Sequence, residues 1–257
     1  MISDDILSYY KCTSDGQEVK ESLRDHIRNG IDLIEDLDSS RISKFVASKL
    51  RVADFKGLVR QAIMFHDAGK AFYQTKDNMK EEKESGGKYL SFIGHESISA
   101  YIAEHFIKER KGYVPDHYSI VVAILFHHHA MGVERRRKEA LSRLRKTGQA
   151  EFEAAKRRLR EVLVQFVEDE DKEVLKKCLD KLSIGDINNW ALQSIENEIY
   201  ERMILRHDPR FRKLSFTVLN CLLSCDYISA GARGISRSGF SQAISSFYRL
   251  WMMKTQT

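Results

Sequence analysis

The apolar run Ala62-Ile63-Met64-Phe65 ends in His66-Asp67, with Gly69 and Lys70 just beyond. A carboxylate carried inward on such a segment needs a partner or a cation, because desolvating it alone is costly. Four other apolar segments deliver similar groups. His26 lies in Glu18–Ile34, where Val19, Leu23, Ile27, Ile31 and Ile34 recur at helical spacing. His95-Glu96 follows Gly94 at an expected helix start, and His127, His128 and His129 follow the run Ile120–Phe126. Asp226 comes three residues after Leu223 and four after Leu222, which places it on their helix face. By the same geometry His127 and His128 sit over Ile124. His129, turned about 100° further round, is expected to point away. Any fold of this chain has to bring these inward faces together.

Taken singly, each residue has a plainer reading, and a lone histidine on an apolar face is usually a satisfied core residue. As an ordered set, His26, His66-Asp67, His95, His127-His128 and Asp226 resemble the HD-domain phosphohydrolase superfamily. In detail they are similar to the stand-alone HD nuclease of type I CRISPR interference. The matching pieces are Leu23-Arg24-Asp25-His26, His66 to Gln74, Gly94-His95-Glu96-Ser97, the paired histidines and Cys225-Asp226-Tyr227, spanning roughly residues 20–230.

The resemblance implies an enzyme, a metal-dependent nuclease of antiviral defence, working on two divalent ions (Mn, Fe, Co, Ni or Mg) and no nucleotide cofactor. His26, His66 and Asp226 would complete one ion's ligands and His95, His127 and His128 would hold the other. Asp67, short and anionic, can bridge metals about 4 Å apart. Lys70, one turn beyond His66, is expected to neutralise charge on the phosphate. The expected substrate is single-stranded DNA, with RNA left open, and the expected partners are a separate helicase and the CRISPR target-bound complex. Two other readings remain at this point: a nucleotide or cyclic-nucleotide phosphohydrolase using the same ligands, and a nucleic-acid-binding subunit whose histidines are structural.

At 257 residues and 42% hydrophobic, the chain can bury one substantial core. It has two prolines, Pro115 and Pro209, and long helical periodicity without sustained alternation. The expected fold is all-α, a single helical bundle over 1–257 with a charged helical insertion at 134–182. Thr75–Lys88 is expected to be a mobile loop. The four cysteines form no CxxC pair, no run of eighteen apolar residues occurs, and Met1 to Asp5 do not resemble a secretory signal. A cytoplasmic protein without a membrane span is therefore expected. No GxxxxGK[ST] loop is present, so an NTP-driven motor is not encoded in these residues.

Charge is unevenly placed. Residues 131–160 hold eleven Lys/Arg against four acids, and such a stretch attracts phosphate backbones without reading sequence. Arg135, Arg136 and Arg137 are the leading nucleic-acid contacts, with Arg233 and Arg237 of a second basic loop behind them; a merely solvated face is the alternative. His207-Asp208 repeats the dipeptide, but Pro209 follows, which reads as a turn between helices.

Overall fold

The computed structural model describes residues 5–83, 85–110, 112, 114–128, 133–194, 199, 201, 208–231 and 239–254. Along the chain these form β1 (Leu7–Cys12), β2 (Glu18–Ser22), α1 (Leu23–Asp32), α2 (Arg41–Phe45), α3 (Phe55–Phe65), β3 (Met79–Glu81), β4 (Lys88–Leu90), α4 (His95–Glu109) and α5 (Tyr118–Phe126). There follow α6 (Val133–Leu144), α7 (Gln149–Leu163), α8 (Lys172–Lys181), α9 (Ile184–Ser194), α10 (Pro209–Gly231) and α11 (Gly239–Phe247). The expected helical class holds. No helix among the described residues is long and apolar enough to cross a membrane.

Helix α5 organises the core. It is apolar on every side and buried up to Phe126, as such a helix must be in water. Helices α3, α4 and α10 pack around it, and α1 packs against α3 and α10. Leu23 and Ile27 of α1 are buried as the helical spacing predicts, but Val19 is exposed. The expected start at residue 18 is too early. Ser22 caps α1 by accepting the Asp25 N–H, and the five residues before the helix extend as β2. Between α2 and α3 the chain turns at Arg51, which adopts φ 54°, and α3 begins behind Asp54, whose carboxylate accepts the Gly57 N–H.

A small antiparallel sheet, ordered β2-β1-β4-β3, lies beside the bundle. Its strands are three to six residues long and mostly half-exposed, so they carry little periodic hydrophobic signal. The segment expected as a mobile loop, Thr75–Lys88, supplies β3 and the first residue of β4, with Lys80 pairing Tyr89 and Glu81 pairing Lys88. Gln74 ties the sheet to the bundle: its side-chain oxygen accepts the Leu7 N–H, and its amide donates to the carbonyls of Leu7 and Lys70.

The 134–182 stretch forms three helices, α6 to α8, whose Leu144, Phe152, Leu159, Leu163 and Leu175 join the buried core. Phe152 stacks on Phe72, just beyond the His66-Asp67 turn, at a centroid distance of 4.8 Å.

Candidate metal centre

Helix α3 stops at Phe65, and the chain tightens into a 3₁₀ turn over Ala68–Tyr73. His66 and Asp67 occupy this break, which lets two adjacent side chains face one point. Gly69 permits the next close approach: a Cβ there would lie 2.2 Å from the His95 carbonyl oxygen. Its N–H donates to Ser99 Oγ of α4 at 2.8 Å, fixing the start of α4 against the turn. Gly94, at φ 90°, brings His95 in as the first residue of α4. Gly69→Ala should therefore overpack this junction by on the order of 1–3 kcal/mol. Thermal unfolding checks this; an unchanged midpoint would mean that the close approach carries no constraint.

The structure brings His26, His66, Asp67, His95, His127, His128 and Asp226 into one cluster from α1, the α3 break, α4, the end of α5 and α10. Within it are two groups of donors, each lying within 4.8 Å of one another: His26, His66 and Asp67, and His95, His127 and His128. Asp226 Oδ1 joins the first group, 3.1 Å from His26 Nε2 and 3.7 Å from His66 Nε2. Asp67 stands between the two. Its Oδ2 lies 3.5 Å from His26 Nε2 and 3.6 Å from His66 Nε2, while its Oδ1 lies 2.9 Å from His95 Nε2.

Three imidazoles are oriented by one device. Nδ1 of His66, His95 and His127 lies 2.5–2.7 Å from the carbonyl oxygen three residues earlier, on Ile63, Phe92 and Ile124. A carbonyl can only accept, so Nδ1 carries a proton and Nε2 is the nitrogen turned toward the centre. All three Nε2 atoms are buried without a hydrogen-bond partner. Such orphans are rare in folded proteins, and a ring held by one nitrogen with the other bare is how metal-ligating histidines are usually arranged.

Electrostatics favour the same use. Burial works against the Asp67 carboxylate, but His66, Lys70 and His95 more than offset it and hold its pKa well below the usual range. Asp226 is held low in the same way by His26 and His66. Burial, reinforced by His95 and His66, pushes the His127 imidazole down to about 4. Burial and the neighbouring His127 and His95 also push His128 down. At neutral pH the cluster thus offers ionised Asp67 and Asp226 and neutral His127 and His128. Mixed nitrogen and oxygen donors suit divalent transition ions better than calcium. The residues present fit a pair of such cations.

Lys70, expected to neutralise charge on a phosphate, is engaged by protein groups in this structure. It is buried, donating to Asp67 Oδ2 at 2.6 Å and to the Ser8 carbonyl at 3.1 Å, so it positions Asp67. Arg136 is not a solvent-facing contact. It is buried on α6, and its Nε and Nη2 donate to the two carboxylate oxygens of Glu96 at 2.7 and 3.0 Å. Neighbouring bases are engaged too: Arg143 with Asn78 and Ser91, Lys156 with the carbonyls of Asp180 and Leu182. The face presented to solvent is therefore less basic than the bare count suggests. Arg135 is exposed and Arg137 half-buried. His129, His207, Arg233 and Arg237 lie outside the described residues, while Asp208 accepts the N–H groups of Arg210 and Phe211 at the start of α10.

Two supporting residues were not foreseen. Ser8 Oγ donates to Asp67 Oδ2 at 3.0 Å, from a strand 59 residues away. Glu21 Oε2 lies 3.2 Å from His26 Nδ1, the orienting position that carboxylates take behind ligating histidines. Only its place five residues before His26 hinted at this. The Arg136 pairing had a clearer signal, because Arg136 shares an i, i+4, i+8 face with Ala140 and Leu144, both buried.

A family model described as Cas3, HD domain matches residues 20–194. No curated protein and no solved structure matches the chain significantly.

Proposed function

The chain belongs to the Cas3 HD-domain family, whose members are metal-dependent nucleases of CRISPR defence, and on that premise we propose that it hydrolyses single-stranded DNA at the seven-residue cluster. The observation that carries this reading is the set of three buried, unpartnered Nε2 atoms around Asp67. In this reading His26, His66 and Asp226 hold one cation and His95, His127 and His128 the other, with Asp67 giving one oxygen to each side. Bound there, two divalent cations (Mn, Fe, Co, Ni or Mg) would lower the pKa of a coordinated water and polarise a phosphodiester.

The protein's own residues prepare that chemistry. Lys70 and Ser8 hold Asp67 Oδ2 in place, and the i−3 carbonyls fix the Nδ1 edges of His66, His95 and His127 so that Nε2 faces the centre. The Asp226 side chain, 20% exposed, and half-buried His128 mark the open side, where substrate enters. Arg135 and Arg137 on α6 guide the phosphate backbone. The chain works as one HD nuclease domain in the cytoplasm, with 134–182 as its insertion. A separate helicase at the CRISPR target-bound complex exposes the strand.

Incubating the protein with circular and linear single-stranded DNA, with EDTA and with each divalent ion in turn, tests the proposal. Cleavage of both forms is expected with a transition ion, and none with chelator. Cleavage that persists in EDTA, or that is confined to mononucleotides, would overturn it.

A further inference from the structure

The C-terminal segment carries a surface that the centre does not use. Helix α2, the π-helical turn that continues it to Leu50, and the C-terminal segment Gly239–Lys254 pack together. A backbone bridge between Ser40 and Lys254 closes the junction. Five large apolar side chains stay in solvent there: Phe45, Phe240, Leu250, Trp251 and Met253. Around them are exposed Arg41, Lys44, Lys49, Arg51, Arg249 and Lys254, and no acid occurs within residues 39–51 or 239–254. The flanking acids are Asp36 and Asp38 before α2 and Asp54 after Arg51; Asp38 lies 3.6 Å from Lys56 Nζ, and Asp116 is engaged by Arg210, which also donates to the Leu50 carbonyl.

Each half of this pattern has a separate meaning. Exposed aromatic and aliphatic groups gain from covering, and an exposed indole offers a face to any base. A basic rim without acids attracts a polyanion and repels another basic surface. Aromatic side chains interleaved with bases are the combination that binds single strands irrespective of sequence. The mounting fits as well. Tyr227, next to Asp226, meets the Phe240 ring at 5.1 Å. The Tyr248 hydroxyl donates to the Leu33 carbonyl, just past the helix that carries His26. The surface is thus built on the same two helices that carry the Asp226 and His26 ligands.

We propose that this face is a second contact for single-stranded nucleic acid, with a base stacking on Trp251 and the backbone running along Arg41, Lys49, Arg249 and Lys254. It rests on the reading of the chain as acting on nucleic acid. It extends that reading by giving the strand a hold away from the cleavage point.

The test uses the full chain in EDTA, so that binding is observed without cleavage. The protein has two tryptophans; Trp190 is 7% exposed and Trp251 43%, so a ligand stacking at the surface reports through Trp251. Adding a mixed-sequence single-stranded oligonucleotide should quench the emission, and Trp251→Phe should remove the quench. Trp251→Ala should weaken binding roughly tenfold. Arg249→Glu with Lys254→Glu should flatten the log affinity against log salt slope by roughly 0.7 per lost contact. Unchanged emission on saturation, or equal quenching by polyglutamate, would overturn the proposal, the latter assigning the face to an acidic protein. Hydrolysis of bis-p-nitrophenyl phosphate by the unaltered chain with manganese reports on the centre alone. Loss of quenching with hydrolysis intact sinks only this surface, and the converse sinks only the nuclease reading.

Discussion

Asp67→Asn should abolish hydrolysis while leaving the helices in place. The substitution keeps the size of the side chain but removes the one anion that faces both halves of the cluster, Oδ2 toward His26 and His66 and Oδ1 toward His95. Losing it withdraws a donor from both groups together. Metal ions of this kind supply several kcal/mol of stabilisation to a developing phosphate charge. Each 1.36 kcal/mol is a factor of ten in rate, so a fall of roughly a thousandfold or more is expected. The measurement is cleavage of single-stranded DNA and of bis-p-nitrophenyl phosphate with added manganese, alongside circular dichroism. A rate near that of the unaltered chain would remove Asp67 from the centre of the mechanism.

Arg136→Ala should have the largest effect on stability. Arg136 and Glu96 form a bidentate pair, with side chains 9% and 3% exposed. Removing one member of a buried pair strands the other charge, at a cost of about 3–5 kcal/mol. For a chain of this size that lowers the unfolding midpoint by on the order of 10 °C. Replacing both residues with methionine should recover most of the loss, because an apolar pair of similar volume is often neutral. Additive losses in that double-mutant cycle would show that the two groups are not coupled. Arg135→Glu, on the exposed side of the same helix, should stay within about 0.5 kcal/mol. A charge reversal meant to probe nucleic-acid contact therefore has to omit Arg136, or unfolding will be mistaken for lost binding.

How much was legible follows from where each signal resides. His26, Asp67, His127 and Asp226 were visible because apolar helices advertise their inward face at a fixed spacing, and a polar group on that face is conspicuous. Helix α5 was plain for the same reason, and the start of α4 was marked by Gly94. Ser8 and Glu21 were not visible. They act through contacts made in three dimensions from short strands, and a serine or glutamate on a half-exposed strand looks like any surface residue. The sheet was missed on the same physics. The Lys70 contact with Asp67 was not read from the sequence, because a lysine three residues from an aspartate reads equally as a helix-end surface residue. Arg136 shows a related failure: a run of arginines reads as surface unless the face it shares with Ala140 and Leu144 is weighed against the charge.

One consequence of the bonds from Nδ1 to the carbonyls three residues back concerns when the imidazoles lose their freedom. The last carbonyls of a helix have no partner within it. Those of Ile63 and Ile124, near the ends of α3 and α5, find theirs in His66 and His127. Each ring thus caps its own helix and is immobilised as the helix forms. The rotamer entropy of these two ligands, which an incoming ligand would otherwise have to overcome, is lost during folding. A cation arriving later meets rings already aimed. The converse is a vulnerability: helix ends are the first places to open, so fraying by a single turn would disperse the donors while nearly all of the helix remained.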